Sequence, residues 1–136
     1  MTNRKDSENT MQRIPDAELD VMLILWKSDT PLRIIDIYNG LRTVRPCSKP
    51  AIHTLLERLA AKGFVRLDTV EAPTPYKLVT PLVSERDYRA AESDNFLAKL
   101  CRGSWKTLIA TLVDTGKITS EDIEEISSLL NRKENK

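Results

Sequence analysis

Few residues in this chain of 136 could carry chemistry. Its single histidine is His53, and its two cysteines are Cys47 and Cys101. One imidazole and two thiols far apart in sequence, with no CxxC or CxC pair, fall short of a zinc site, so no metal is expected. The thiols read as free cysteines of a reducing compartment. No Gly-rich phosphate loop, no nucleophile elbow and no convergent acid, base and nucleophile can be assembled, so neither an enzyme nor a cofactor is expected. The acidic run Glu121, Asp122, Glu124 and Glu125 suits the first turn and solvent side of a helix.

What remains is electrostatic. From Arg33 to Arg66 the basic residues are Arg33, Arg42, Arg45, Lys49, Arg58, Lys62 and Arg66, against only Asp36 and Glu57. The formal charge of the whole chain is +1, so this concentration is local. Such a patch can lie along phosphates and release counterions. The plain alternative is a solvated surface, and the elements that carry the charges decide between the two.

Apolar spacing supplies those elements. In DAELDVMLILW, Leu19, Met22, Leu23 and Trp26 share a helical face that Val21 and Leu25 widen, with Pro15 at its start. A turn, SDTP, leads to a second helix, about Ile34 to Leu41, with Ile34, Ile37, Tyr38 and Leu41 on one stripe. Ser48 can cap a third helix whose stripe is Ile52, Leu55, Leu56 and Leu59; Gly63 ends it. FVRLD and YKLVT then read as a hairpin around the proline-bearing tip TVEAPTP. Three helices followed by a hairpin are the parts of a winged helix-turn-helix. Beyond it, Ser84 with Asp87, Ser104, and Thr119 with Asp122 mark the starts of three more amphipathic helices, and Gly103 and Gly116 mark ends.

The expected fold is therefore mainly α with a small β-hairpin wing. A disordered arm (1–13) precedes a winged helix-turn-helix domain (14–82). A helical dimerisation domain (83–132) and a polar tail (133–136) follow. Three short helices cannot bury their stripes alone, and a second copy of the chain is the simplest cover. Phe96, Leu97, Leu100, Trp105, Leu108, Leu112, Ile126 and Leu130 are the expected dimer contacts. A chain cut after Pro81 is expected to fold as a monomer. No apolar run is long enough to span a membrane, and the polar start MTNRKDSENTMQR is not a signal peptide, so a cytoplasmic protein is expected.

Burying the stripe of the third helix turns Pro50, His53, Thr54 and Glu57 outward. The early outward residues of a recognition helix meet base edges, which makes His53 and Thr54 the candidate readers. Arg45, Ser48, Lys49, Pro50, Arg58, Lys62 and Arg66 complete the expected contacts with duplex DNA. The competing class is a winged-helix module that binds protein instead of DNA.

The runs IPDAELDVMLILW, TLLERLAAKGFV, YKLVTPLVSERDY and NFLAKLCRGSWKTLIATLV, in this order from Ile14 to Arg132, resemble the penicillinase repressor family. The resemblance implies a cytosolic homodimeric repressor of a pseudo-palindromic operator. It also implies, for the β-lactam-responsive members, release of repression when a membrane sensor-protease triggers cleavage of an Asn-Phe bond. Asn95-Phe96 stands at the corresponding place. The paired C-terminal cysteines of copper-responsive members are missing here. Pro15 and Arg33 replace the small hydroxyl residues usual before the first two helices, Pro50, Ala51 and His53 depart from the usual third helix, and the tip EAPTP lacks basic residues. These departures bear on which operator is read.

Overall fold

The computed structural model describes residues 11–71 and 73–135; most of the expected N-terminal arm and the last residue of the expected tail lie outside them. Helix α1 (Asp16–Trp26) starts after Pro15, with Asp16 and Glu18 in its first turn. It buries Glu18, Val21, Met22 and Leu25. Leu23, expected on the apolar face, is instead exposed. The buried face centres on Val21 and Leu25, and a residue two positions from both turns to the opposite side of a helix.

A two-residue strand, β1 (Leu32–Arg33), precedes helix α2 (Ile34–Leu41), which buries Ile37 and Leu41. Sequence periodicity did not predict β1, because two residues carry no alternation to read. Helix α3 (Lys49–Ala61) buries Ile52, Leu56 and Leu59, with Leu55 half-buried. It ends where Gly63 takes a φ of +82°, the left-handed turn that lets the Phe64 N–H return to the Leu59 carbonyl at 2.9 Å. Strands β2 (Val65–Val70) and β3 (Tyr76–Pro81) form the wing, in register from Val65↔Pro81 to Val70↔Tyr76. Strand β1 joins the free side of β3 through Leu32↔Val79 and Arg33↔Leu78, giving the antiparallel order β1-β3-β2.

The hairpin does not close the core. Helix α4 (Glu85–Leu100) adds Tyr88, which is buried, with its ring centroid 5.9 Å from that of Trp26 and 5.7 Å from that of Phe64. The Tyr88 hydroxyl accepts from the backbone N–H of Ile14 at 3.1 Å. Trp26 Nε1 donates to the carbonyl of Val83 at 2.8 Å, and Arg13 pairs with Glu92 at 2.8 Å. Compact packing accordingly divides the chain into Met1–Glu92 and Ser93–Lys136, with the boundary inside α4 and not near Pro81. Met11, expected to belong to a disordered arm, packs on the same core beside Ile14.

Beyond the boundary lie the end of α4, helix α5 (Trp105–Asp114) and helix α6 (Ser120–Glu134). Neither α5 nor α6 has a buried residue. Ser104 and Thr119 cap them as expected, and Asp122 returns the second half of a capping box to the Thr119 N–H at 2.8 Å. The expected polar tail is a helix through Glu134, since Arg132 and Lys133 in the last turn oppose the negative end of the dipole.

A chain ending at Glu92 is expected to unfold cooperatively in urea as a monomer. One ending at Pro81 loses Tyr88 and should be less stable by about 3–5 kcal/mol, the cost of deleting a large core aromatic. Equal midpoints for the two fragments would show that Tyr88 adds nothing to the core.

Candidate nucleic-acid interface

Helix α3 presents its polar side as its apolar spacing requires. Ser48 accepts from the Ala51 N–H at 3.3 Å and caps the helix, while Lys49 and Pro50 occupy the first turn. His53, Thr54, Glu57 and Arg58 are exposed, and Thr54 Oγ1 donates back to the Pro50 carbonyl at 3.4 Å. One surface thus carries Lys49, His53, Thr54 and Arg58. Arg45, Cys47, Thr54 and Arg58 also line one open cleft of about 320 Å³ between the preceding turn and the helix. Cys47 is half-buried there, and Cys101 is buried elsewhere in the chain; both are free.

The charges sort into two groups. Arg45 Nε binds Asp20 at 2.9 Å, Lys62 Nζ binds Glu18 at 2.5 Å, and Arg66 Nε binds Asp68 at 2.8 Å. Two of these acids belong to α1, outside the basic stretch from Arg33 to Arg66. Among the described residues, Arg33, Arg42, Lys49 and Arg58 make no ion pair. Three of these lie against aromatic rings. The Arg33 guanidinium stands 3.8 Å from the centre of the Tyr76 ring, while Arg42 and Lys49 stand 5.5 and 5.7 Å from that of Tyr38. Each such contact contributes about 0.5–1 kcal/mol at an exposed site and leaves the cation able to meet an anion. Arg33 therefore ties the start of α2 to the wing.

Lys62 does not join the α3 surface. Its side chain is only 21% exposed and its partner Glu18 is buried, so it serves the interior and is not placed for phosphate. Arg66 stays exposed at the wing root, held sideways by Asp68. Glu18 was not among the residues that the sequence singled out. Its spacing from Val21, Met22 and Leu25 was the available signal, since a carboxylate on an apolar face needs a cation.

The family model described as penicillinase repressor matches residues 14–132. The chain belongs to the penicillinase repressor family. Among its relatives, the methicillin resistance regulatory protein MecI of Mammaliicoccus sciuri is 29% identical over 126 residues, 93% of this chain and 99% of that protein. The penicillinase repressor of Bacillus licheniformis is 27% identical over 129 residues, 93% and 98% of the two chains. A solution structure of monomeric BlaI from Bacillus licheniformis with the blaP half-operator matches at 29% identity with a TM-score of 0.48, covering 57% of this chain and 90% of that one.

Replacing Ser48 with alanine removes the cap of α3 and should cost about 1 kcal/mol of stability, read from the thermal midpoint. An unchanged midpoint would mean that the Ala51 N–H is satisfied by water alone.

Proposed function

We propose that this protein is a dimeric transcriptional repressor whose α3 reads a duplex operator, acting in the cytoplasm on genes of β-lactam resistance. The observation that carries the reading is the exposed side of α3, where His53 and Thr54 stand among Lys49, Arg58 and the capped helix start in a member of a repressor family. Lys49 and Arg58 meet phosphates, Ser48 and Pro50 set the approach of the helix start, and His53 and Thr54 meet base edges. Arg45 and Arg66, already half-neutralised by Asp20 and Asp68, contribute less. The names of the relatives support the connection to resistance genes.

Dimerisation rests on the second unit. Phe96, Leu100, Trp105, Ile126 and Leu130 are all exposed, Leu100 to 69%, and Leu97, Leu108 and Leu112 are half-buried. Burying each large side chain against a second copy contributes about 1.5–3 kcal/mol. Full-length protein is expected to sediment as a dimer at micromolar concentration, and a monomer there would remove this part of the reading. No helix among the described residues is long and apolar enough to cross a membrane.

Readout and affinity separate by mutation. Arg58→Ala should weaken all duplexes alike, whereas His53→Ala should act mainly on sequence preference, by about 1–3 kcal/mol of discrimination. Equal effects of both changes on an operator and a random duplex would remove His53 as a reader.

Induction follows from the position of Asn95-Phe96. Asn95 is half-buried and Phe96 is 42% exposed in the interior of α4, just past the boundary between the units. A regular helix must open locally before a protease can cut it, so the bond is protected at rest. Cleavage severs the DNA-binding unit from its dimer contacts, and apparent affinity falls by about 10²–10⁴ as linkage is lost. Mass spectrometry of the repressor from induced cells should find fragments ending at Asn95. An intact chain, or ends elsewhere, means the protein is switched by another route.

A further inference from the structure

We infer that Glu18 is a positioning residue for sequence readout: its buried ion pair with Lys62 sets the roll of α3 and the departure of the wing. The inference rests on the operator-reading function proposed above. Glu18 is 1% exposed, the one buried charged side chain among the described residues. It shares its helix face with Val21, Met22 and Leu25. A carboxylate there without a cation would be strongly unfavourable, and Lys62 Nζ at 2.5 Å supplies the cation.

The place of Lys62 gives the pair its leverage. Lys62 is the C-cap of α3, Gly63 turns with φ +82°, and β2 begins at Val65. The pair therefore fastens α1 to the junction between α3 and the wing. At the other end of α3, Arg45 in the preceding turn is bound to Asp20, also on α1. Between these pins α3 is held by Ile52, Leu56 and Leu59, an apolar stripe. Apolar burial is non-directional and tolerates a small roll. A helix with its side chains has a radius of about 5–6 Å, so a roll of about 20° carries the tips of His53 and Thr54 through about 2 Å. That exceeds the tolerance of a hydrogen bond to a base edge.

The test uses the full-length protein and two duplexes, the sequence it enriches from a random pool and an unrelated one. In the double variant Glu18→Met, Lys62→Met, an apolar pair of similar volume replaces the ion pair and should leave the thermal midpoint equal or higher. Its preference for the enriched duplex over the unrelated one should nonetheless fall about tenfold. Lys62→Gln, which keeps a hydrogen-bond donor for Glu18 at a partly exposed position, should lower the same ratio. It decides the matter if the double variant does not fold. Unchanged ratios in the folded variants would overturn the inference. So would equal weakening on both duplexes with the salt slope reduced by about one per bound Lys62, the signature of a phosphate contact. A wild-type protein that enriches no sequence would overturn the operator reading and this inference with it; discrimination in the wild type retained by the variants overturns this inference alone.

Discussion

Helix α1 is the member against which the rest of the DNA-binding unit is set. Its buried face carries Val21, Met22 and Leu25 into the core, and its acids reach both ends of α3, Asp20 to Arg45 and Glu18 to Lys62. Apolar burial supplies most of the stabilisation, because surface ion pairs contribute little and buried ones roughly offset their own desolvation. Direction comes from the polar pairs. The same division holds on the other side of the core, where Tyr88 fills space between Trp26 and Phe64 while its hydroxyl fixes Ile14. In each place an apolar contact brings elements together and one hydrogen bond selects among the packings that would satisfy it.

The two units differ in what they can bury. Met1–Glu92 has a continuous core running from Ile14 through α1, α2, α3 and the sheet to Tyr88. Ser93–Lys136 has well-capped helices whose stripes stay largely open. Capping and dipole terms of this kind, each about 0.5–2 kcal/mol, define where a helix starts and stops but do not hold three short helices together. Asn95-Phe96 lies just past the boundary, in the unit whose apolar stripes stay open, so the two sides of that bond differ in how much core they carry.

Much of this was legible in the chain. Helices with a strong stripe and a cap residue, such as α3 between Ser48 and Gly63, were placed by spacing alone, as were the wing strands. What escaped was set by tertiary contact. Strand β1 exists because β3 offers it hydrogen-bonding groups, and its two residues have no pattern of their own. Tyr88 was assigned to the second domain because one aromatic in a polar helix does not reveal which core it enters. Lys62 was grouped with the DNA contacts by charge and proximity in sequence. Only the fold shows that Glu18, far away along the chain, claims it.

That reassignment changes what the basic stretch means. With Arg45, Lys62 and Arg66 each answered by a carboxylate, the net field of the helix-turn-helix is weaker than its sequence implies, and it concentrates on Arg33, Arg42, Lys49 and Arg58. Three of these cations rest against Tyr76 or Tyr38. An aromatic support limits where a long side chain can wander without neutralising it, which lowers the entropy lost when it meets a phosphate. The wing tip, by contrast, offers Glu71 and prolines and no cation. The cations without a carboxylate partner among the described residues are thus gathered at the two helices of the motif. The wing takes part in this arrangement through Tyr76, whose ring supports the Arg33 guanidinium at the start of α2.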